Sequence, residues 1–132
     1  MVTVGNVDAA LGLRAVTVSV VNCGNEARTV VGYPGVRVLG ADGEPYDVTV
    51  HLGASVTTAI DDPAPSRITL EPGARAESVL AWRNTVTSVT EPAVRGTALE
   101  VTPTKGAGPQ SVAVVVDLGN TGKLDVTAWR RP

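Results

Sequence analysis

The chain has 132 residues, of which 43% are hydrophobic and 18% charged, and its formal net charge is −2. This composition can build a packed core and excludes a disordered chain, and the length predicts one domain over residues 1–132. The dispersed charges argue against nucleic-acid binding, and no apolar run is long enough to span a membrane.

Short valine-rich segments recur along the chain and are separated by Gly and Pro. Val16, Val18 and Val20 alternate with Thr17 and Ser19, and this two-residue period places the apolar side chains on one face of a strand. We predict strands at 3–7, 13–22, 28–31, 36–40, 46–51, 67–70, 76–83, 98–102, 110–118 and 123–129. This pattern predicts an all-β fold, specifically a two-sheet antiparallel β-sandwich of immunoglobulin-like or Greek-key type.

Glycine and proline define the turns between these strands. The segments 40–43 and 119–122 are predicted hairpin turns, and 103–109 is a predicted hairpin connection. Pro72 and Gly73 suit the central positions of a type II turn. In the block 32–36, Gly32 and Gly35 can take positive φ and Pro34 removes a donor, which predicts a kink that moves the strand to the other sheet.

The segment 74–84 has two alternative interpretations. It contains neither Gly nor Pro and includes good helix formers, which is compatible with a short helix. Alternation of Ala76, Ser78, Leu80 and Trp82 favours a strand, which we expect.

The stretch 51–66 is predicted to be a long loop, and loops of this length are often functional. Asp61 and Asp62 offer oxygen ligands for calcium, but adjacent carboxylates seldom provide the six to eight oxygens required. A solvated loop, or a turn set by Asp62 before Pro63, is the expected alternative. A single His and a single Cys cannot build a copper or zinc site, so we expect no metal site and no cofactor.

The candidates for catalysis are few. His51 is the only histidine, and the sequence identifies no nucleophile or acid to work with it. No serine lies in a Gly-x-Ser-x-Gly elbow, and the glycines at 119–122 lack the spacing of a phosphate-binding loop. We therefore predict no catalytic residues and no enzyme activity.

The candidates for recognition are aromatic and arginine side chains near strand ends. Tyr33 lies between Gly32 and Pro34, and Trp82 precedes Arg83. Aromatic residues and arginine are favoured at interfaces. Packing in the core or at a sheet edge is the alternative for Tyr33 and Trp82.

Cys23 has no partner within the chain, which excludes an internal disulfide. We expect a half-buried thiol at a strand end, or a cysteine whose partner lay in a removed N-terminal segment. Residues 1–4 already have the pattern of a strand and not of a targeting segment. Such a segment could therefore have preceded them.

Three blocks of the sequence together resemble a known family. They are Val21–Asn22 before a short loop, Gly32–Tyr33–Pro34–Gly35–Val36, and Leu70–Glu71–Pro72–Gly73 followed by Ala76 and Trp82. The chain resembles, over nearly its whole length, a family of actinobacterial domains of unknown function.

The resemblance implies a β-sandwich that is exported, often as a lipoprotein, with no established activity. Members often have a Cys shortly before the Gly-Tyr-Pro block, paired with one near the domain start. Arg28 occupies that neighbourhood here, so the resemblance would make Cys23 the natural partner of an upstream cysteine.

We therefore predict a non-catalytic extracytoplasmic domain that binds a protein or another component of the cell envelope or secreted fraction. Its candidate contacts are Tyr33, Asp61, Asp62, Trp82 and Arg83. The alternatives are an ion- or ligand-binding domain that uses the 51–66 loop, and a structural spacer or oligomerisation domain. The sequence does not identify the partner or the oligomeric state.

Overall fold

The computed structural model describes residues 1–10, 12–57, 60–85 and 94–132. Within these ranges the chain forms eleven strands and no helix, so the all-β prediction is confirmed. The strands are β1 (Val2–Val4), β2 (Asp8–Ala10), β3 (Leu13–Val21), β4 (Arg28–Val31), β5 (Gly35–Leu39), β6 (Thr49–Leu52), β7 (Arg67–Leu70), β8 (Arg75–Arg83), β9 (Val94–Thr102), β10 (Gln110–Gly119) and β11 (Lys123–Val126).

The strands pair into three sheets. The largest has six strands in the order β1-β3-β8-β11-β6, with β2 paired to β3 beside β1. A three-stranded sheet has the order β10-β9-β5, and β4 pairs with β7 in a two-stranded sheet. All of these pairs are antiparallel except β11 with β6, which is parallel.

All three sheets contribute to one hydrophobic core. In β3 the alternating residues Val16, Val18 and Val20 point into it, as the two-residue period predicts. The two tryptophans are fully buried there. Because the chain has no phenylalanine, valine and leucine fill most of the remaining volume.

The predicted strands at 28–31 and 67–70 have the observed bounds, and those at 13–22, 36–40, 76–83 and 110–118 differ from the observed strands by one residue at one end or at both. The segment 75–83 is a strand, which decides against a helix there. The stretch without Gly or Pro continues to residue 91, but its residues from 86 onward lie outside the described part of the chain. β9 begins at Val94, four residues before the predicted start.

Three strand predictions were partly wrong. The first strand ends at Val4, and the unpredicted β2 follows it along β3. The strand predicted at 46–51 begins at Thr49, because the Tyr46 amide still bonds to Val38 of β5 at 2.9 Å. β11 ends at Val126, because the Thr127 hydroxyl bonds to both the N–H and the C=O of Val79 in the ladder.

The turn at 119–122 does not close a hairpin, so this prediction was wrong. β10 pairs with β9, whereas β11 pairs with β8 and β6, and the turn therefore carries the chain from one sheet to another. The turn at 40–43 is present, but after the bridge from Leu39 to Pro45 the chain also changes sheet. The 103–109 segment does connect the paired strands β9 and β10.

The change of sheet predicted for the block 32–36 is confirmed. β4 lies in the two-stranded sheet and β5 in the three-stranded sheet, so the chain passes from one sheet to another between them. Gly32 has a φ of 70°, but Gly35 does not take the positive φ that we expected. The type II turn is also confirmed, since Gly73 has a φ of 82° and the Ala74 amide bonds to Glu71 O at 2.9 Å.

Candidate functional site

The loop that follows β6 lies on the outer face of the six-stranded sheet. Val79 and Ala81 of β8 point away from the core, on the face opposite Leu80 and Trp82, yet both are buried. Ile60 of the loop lines a cavity of about 260 Å³ together with Val79. Residues 53–66 are here called the β6–β7 loop, and its residue Ile60 lies over part of this sheet face.

Asp125 of β11 holds the first part of this loop. Its carboxylate accepts hydrogen bonds from the backbone N–H groups of Ser55 and Val56, the second at 2.8 Å, and from Ser55 Oγ at 2.9 Å. The residue is only 1% exposed. Three donors compensate the loss of water around the carboxylate, which explains how a charged residue lies between the buried Leu124 and Val126.

His51 and Lys123 lie beside this carboxylate. His51 Nδ1 is 3.6 Å from Asp125 Oδ1 and 3.0 Å from the Gly53 carbonyl oxygen, and Lys123 Nζ donates to Ser55 Oγ at 2.7 Å. Serine, histidine, aspartate and lysine thus meet at one place. Ser55 Oγ bonds to Asp125 and Lys123, so the histidine does not stand between serine and aspartate as it does in a catalytic triad.

Two arginines hold the rest of the loop. Arg83 Nη2 donates to Val56 O at 3.0 Å. Arg130 Nη1 donates to Asp61 O at 3.0 Å and lies 3.6 Å from the Asp61 carboxylate. Because a guanidinium offers several donors in a fixed geometry, each arginine can fix a carbonyl group of an irregular segment.

The two adjacent carboxylates of the loop have different surroundings. Asp61 faces Arg130. The Asp62 carboxylate instead lies close to Gly53, since a Cβ added to that glycine would be 3.4 Å from Asp62 Oδ2. Within the described residues no three His, Cys, Asp or Glu side chains are grouped as metal ligands. The pairing of Asp61 with an arginine does not favour a cation site.

The predicted contact residues are only partly brought together. Asp61 and Asp62 belong to the β6–β7 loop, and Arg83 contacts it at Val56 O. Tyr33 is half-buried beside Gly32, whose amide bonds to Ser66 O at the far end of the loop. Trp82 is fully buried and its Nε1 donates to Asp117 Oδ1 at 3.2 Å, which is the packing role that the sequence left open.

Cys23 is exposed, not half-buried as we expected, because it lies in the turn that follows β3. Trp129, near the end of the chain, is buried, and its Nε1 donates to Pro103 O at 2.7 Å.

No pattern in the sequence indicated that Ser55, Lys123, Asp125 and Arg130 belong to one site. Their contacts join residues about seventy positions apart. Asp125 alternates with Leu124 and Val126, so the two-residue period assigns it to a solvent-facing surface. The only signal in the sequence was the unusual length of the loop, which is long enough to cover that face.

The described residues contain no helix with the length and hydropathy needed to cross a membrane. Neither the curated proteins nor the solved structures include a significant match to the chain. A family profile described as Domain of unknown function (DUF4232) matches residues 1–130. Because this match covers nearly the whole sequence, the chain belongs to the DUF4232 family of domains of unknown function.

Proposed function

We propose that the protein is a non-catalytic binding domain that acts outside the cytoplasm and recognises a protein partner through β6 and the β6–β7 loop. The observation that carries this proposal is that hydrogen bonds hold Ser55, Val56 and Asp61 of a long loop beside an exposed strand. A surface that is ordered before binding loses little conformational entropy when a partner docks.

The proposed binding surface consists of Val50, His51, Leu52, Asp61 and Arg83. Val50 and Leu52 pair with the core residues Leu124 and Val126 and lie on the same face of the sheet. Leu52 is nevertheless 55% exposed, because β6 is at the edge. β6 is the last strand of its sheet among the described residues, so one row of its backbone groups is available to an added strand. Val50 and Leu52 extend from one face of this edge and His51 from the face that carries the loop, so an added strand would contact side chains of both faces.

The arrangement around Ser55 supports a non-catalytic role. Its hydroxyl bonds to a carboxylate that also holds two backbone amides, so Asp125 serves the conformation of the loop. An esterase or peptidase activity that disappears in Ser55→Ala or His51→Ala would contradict this part of the proposal.

The proposed fold behind this surface is one domain with the six-stranded sheet facing the other two in a sandwich. The common core supports it, because residues of all three sheets pack in one cluster.

Location outside the cytoplasm rests on the family resemblance of the sequence blocks around Gly32 and Pro72. Fractionation of producing cells that carry the complete gene tests it, and recovery in the cytoplasmic fraction would contradict it.

Photo-crosslinking in producing cells tests the binding surface. A photoreactive amino acid at position 52 should give a crosslinked partner, whereas the same amino acid at position 31 should not. Val31 is a matched control because it is also an exposed apolar strand residue, at 51%. We expect Leu52→Ser to weaken the captured complex about tenfold and Val31→Ser to leave it unchanged. Crosslinking at both positions or only at position 31 would contradict the proposal.

An ion-binding role is the second candidate, because Asp8 and Asp61 line the cavity under the loop. This role predicts that millimolar calcium raises Tm, since a ligand of the native state stabilises it. We expect no such rise, because Arg130 already faces Asp61. An oligomerisation role would instead appear as a stable oligomer in light scattering, and a spacer role as a monomer with no crosslink at position 52.

A further inference from the structure

A second cavity, separate from the loop, opens at the junction of the three sheets. It has a volume of about 400 Å³, within the size range of small-molecule sites. Val20 of β3, Val30 of β4 and Leu70 of β7 line it, and all three belong to the hydrophobic core. We call it the junction cavity. Apolar side chains of the core therefore form its inner wall.

Hydrogen bonds fix the two rims of this cavity. On one rim, Asn22 Nδ2 donates to Leu70 O and Glu26 O, both at 2.8 Å, and Asn22 Oδ1 accepts from the Gly24 amide. On the other rim, Pro103 O accepts from Trp129 Nε1 at 2.7 Å. The buried Asn22 side chain is fully bonded within the protein, so it shapes the rim and leaves recognition to other residues.

The lining is mainly apolar and includes one cationic side chain. Arg28 is among the lining residues, and no described lining residue is Asp or Glu. Among the described residues nothing forms an ion pair or a side-chain hydrogen bond with the Arg28 guanidinium. Thr29 and Thr104 also line the cavity and add hydroxyl groups. A cavity with an apolar floor and an unpaired cation is complementary to a molecule with an apolar body and an anionic head.

We propose that the junction cavity binds a small amphipathic anion, an aliphatic carboxylate whose chain lies against Val20, Val30 and Leu70 and whose head group pairs with Arg28. The chain would leave water for this apolar wall, and the removal of its own apolar surface from water would supply the main free energy of binding. The ion pair at Arg28 lies at the rim, so it supplies selectivity for an anion.

Decanoate below its micellar concentration is the probe, and the thiol of Cys23 is the reporter because it lines the same cavity and is exposed. Decanoate should slow the reaction of Cys23 with iodoacetamide in a saturable manner, and calorimetry on the same protein should give the same affinity. Decylammonium has the same chain length and the opposite charge, and its Kd should be at least about threefold higher than that of decanoate. Unchanged labelling or non-saturating heat would overturn the proposal.

Two variants with matched controls locate the bound molecule. Ala107→Phe fills the cavity and should abolish decanoate binding, whereas Ala41→Phe places the same side chain in an exposed turn and should not. Arg28→Gln should remove the preference for decanoate over decylammonium, whereas Arg67→Gln, at the other end of the same two-stranded sheet, should keep it. Full binding in Ala107→Phe, or a retained preference in Arg28→Gln, would show that decanoate binds elsewhere.

Discussion

Asp125 shows how a single side chain can determine the position of a long segment. The strand β11 places it on the outer face of the sheet, and the loop supplies the donors that make its burial tolerable. Without the loop the carboxylate would be solvated, and without the carboxylate two loop amides would lose their partner. The residue and the loop therefore depend on each other.

Asp125→Ala should lower the free energy of unfolding by about 2–3 kcal/mol, because two backbone donors and the Ser55 hydroxyl lose a charged acceptor. Urea denaturation measures this change. Asp47→Ala is the control, since Asp47 is exposed and should alter stability by less than about 0.5 kcal/mol. An equal effect of the two substitutions would show that Asp125 does not hold the loop.

The segments that join strands of different sheets are the decisive elements of this fold. The turn at 119–122 has two glycines with positive φ, Gly119 at 58° and Gly122 at 61°. A Cβ on Gly119 would collide with the backbone carbonyl oxygen of Thr85, whereas one on Gly122 would meet nothing within 4 Å. Close approach of two chain segments, in addition to the backbone conformation, therefore requires glycine at 119.

Gly122→Ala should lower the free energy of unfolding by about 1–2 kcal/mol, because a residue with a Cβ is strained in the left-handed conformation. Gly119→Ala should cost at least about 3 kcal/mol, because the backbone must also move to relieve the collision. Thermal or urea unfolding of the two variants provides the comparison. Equal losses of stability would mean that the turn adjusts without strain.

At the scale of the whole molecule, three sheets share one core. The two tryptophans lie in different parts of it, Trp82 on β8 and Trp129 in the segment that follows β11. Trp129 also connects the sheets through the backbone, since its amide donates to Gly32 O at 2.8 Å. Loss of packing in one sheet would therefore expose apolar surface of the others.

We expect cooperative unfolding in one transition. Trp82→Phe and Trp129→Phe leave one fluorescent reporter each, and both reporters should show the same urea midpoint as circular dichroism measured on the same variant. Coinciding midpoints would support the single domain that we predict. Separate midpoints for the two probes of one variant would show that parts of the chain unfold independently.

Much of the strand layout could be predicted because alternation is a local property. The apolar period at Val16, Val18 and Val20 depends on neighbouring residues, and so does the type II turn at Pro72 and Gly73. The failures arose where distant contacts decide. Thr127 ends β11 through bonds to Val79, and the turn at 119–122 looks like a hairpin until the pairing of both flanking strands is known.

The candidate site was less accessible to prediction than the fold. The length of the loop and the positions of Asp61 and Arg83 were visible in the sequence, but the partners of the loop, Asp125 and Arg130, were not. The sequence by itself determined the all-β class and most strand positions, because local patterning and backbone preference act over a few residues. Only the tertiary structure decided which strands pair, that the loop covers a sheet face and that a cavity opens beside Arg28, because these features need residues from distant parts of the chain to meet.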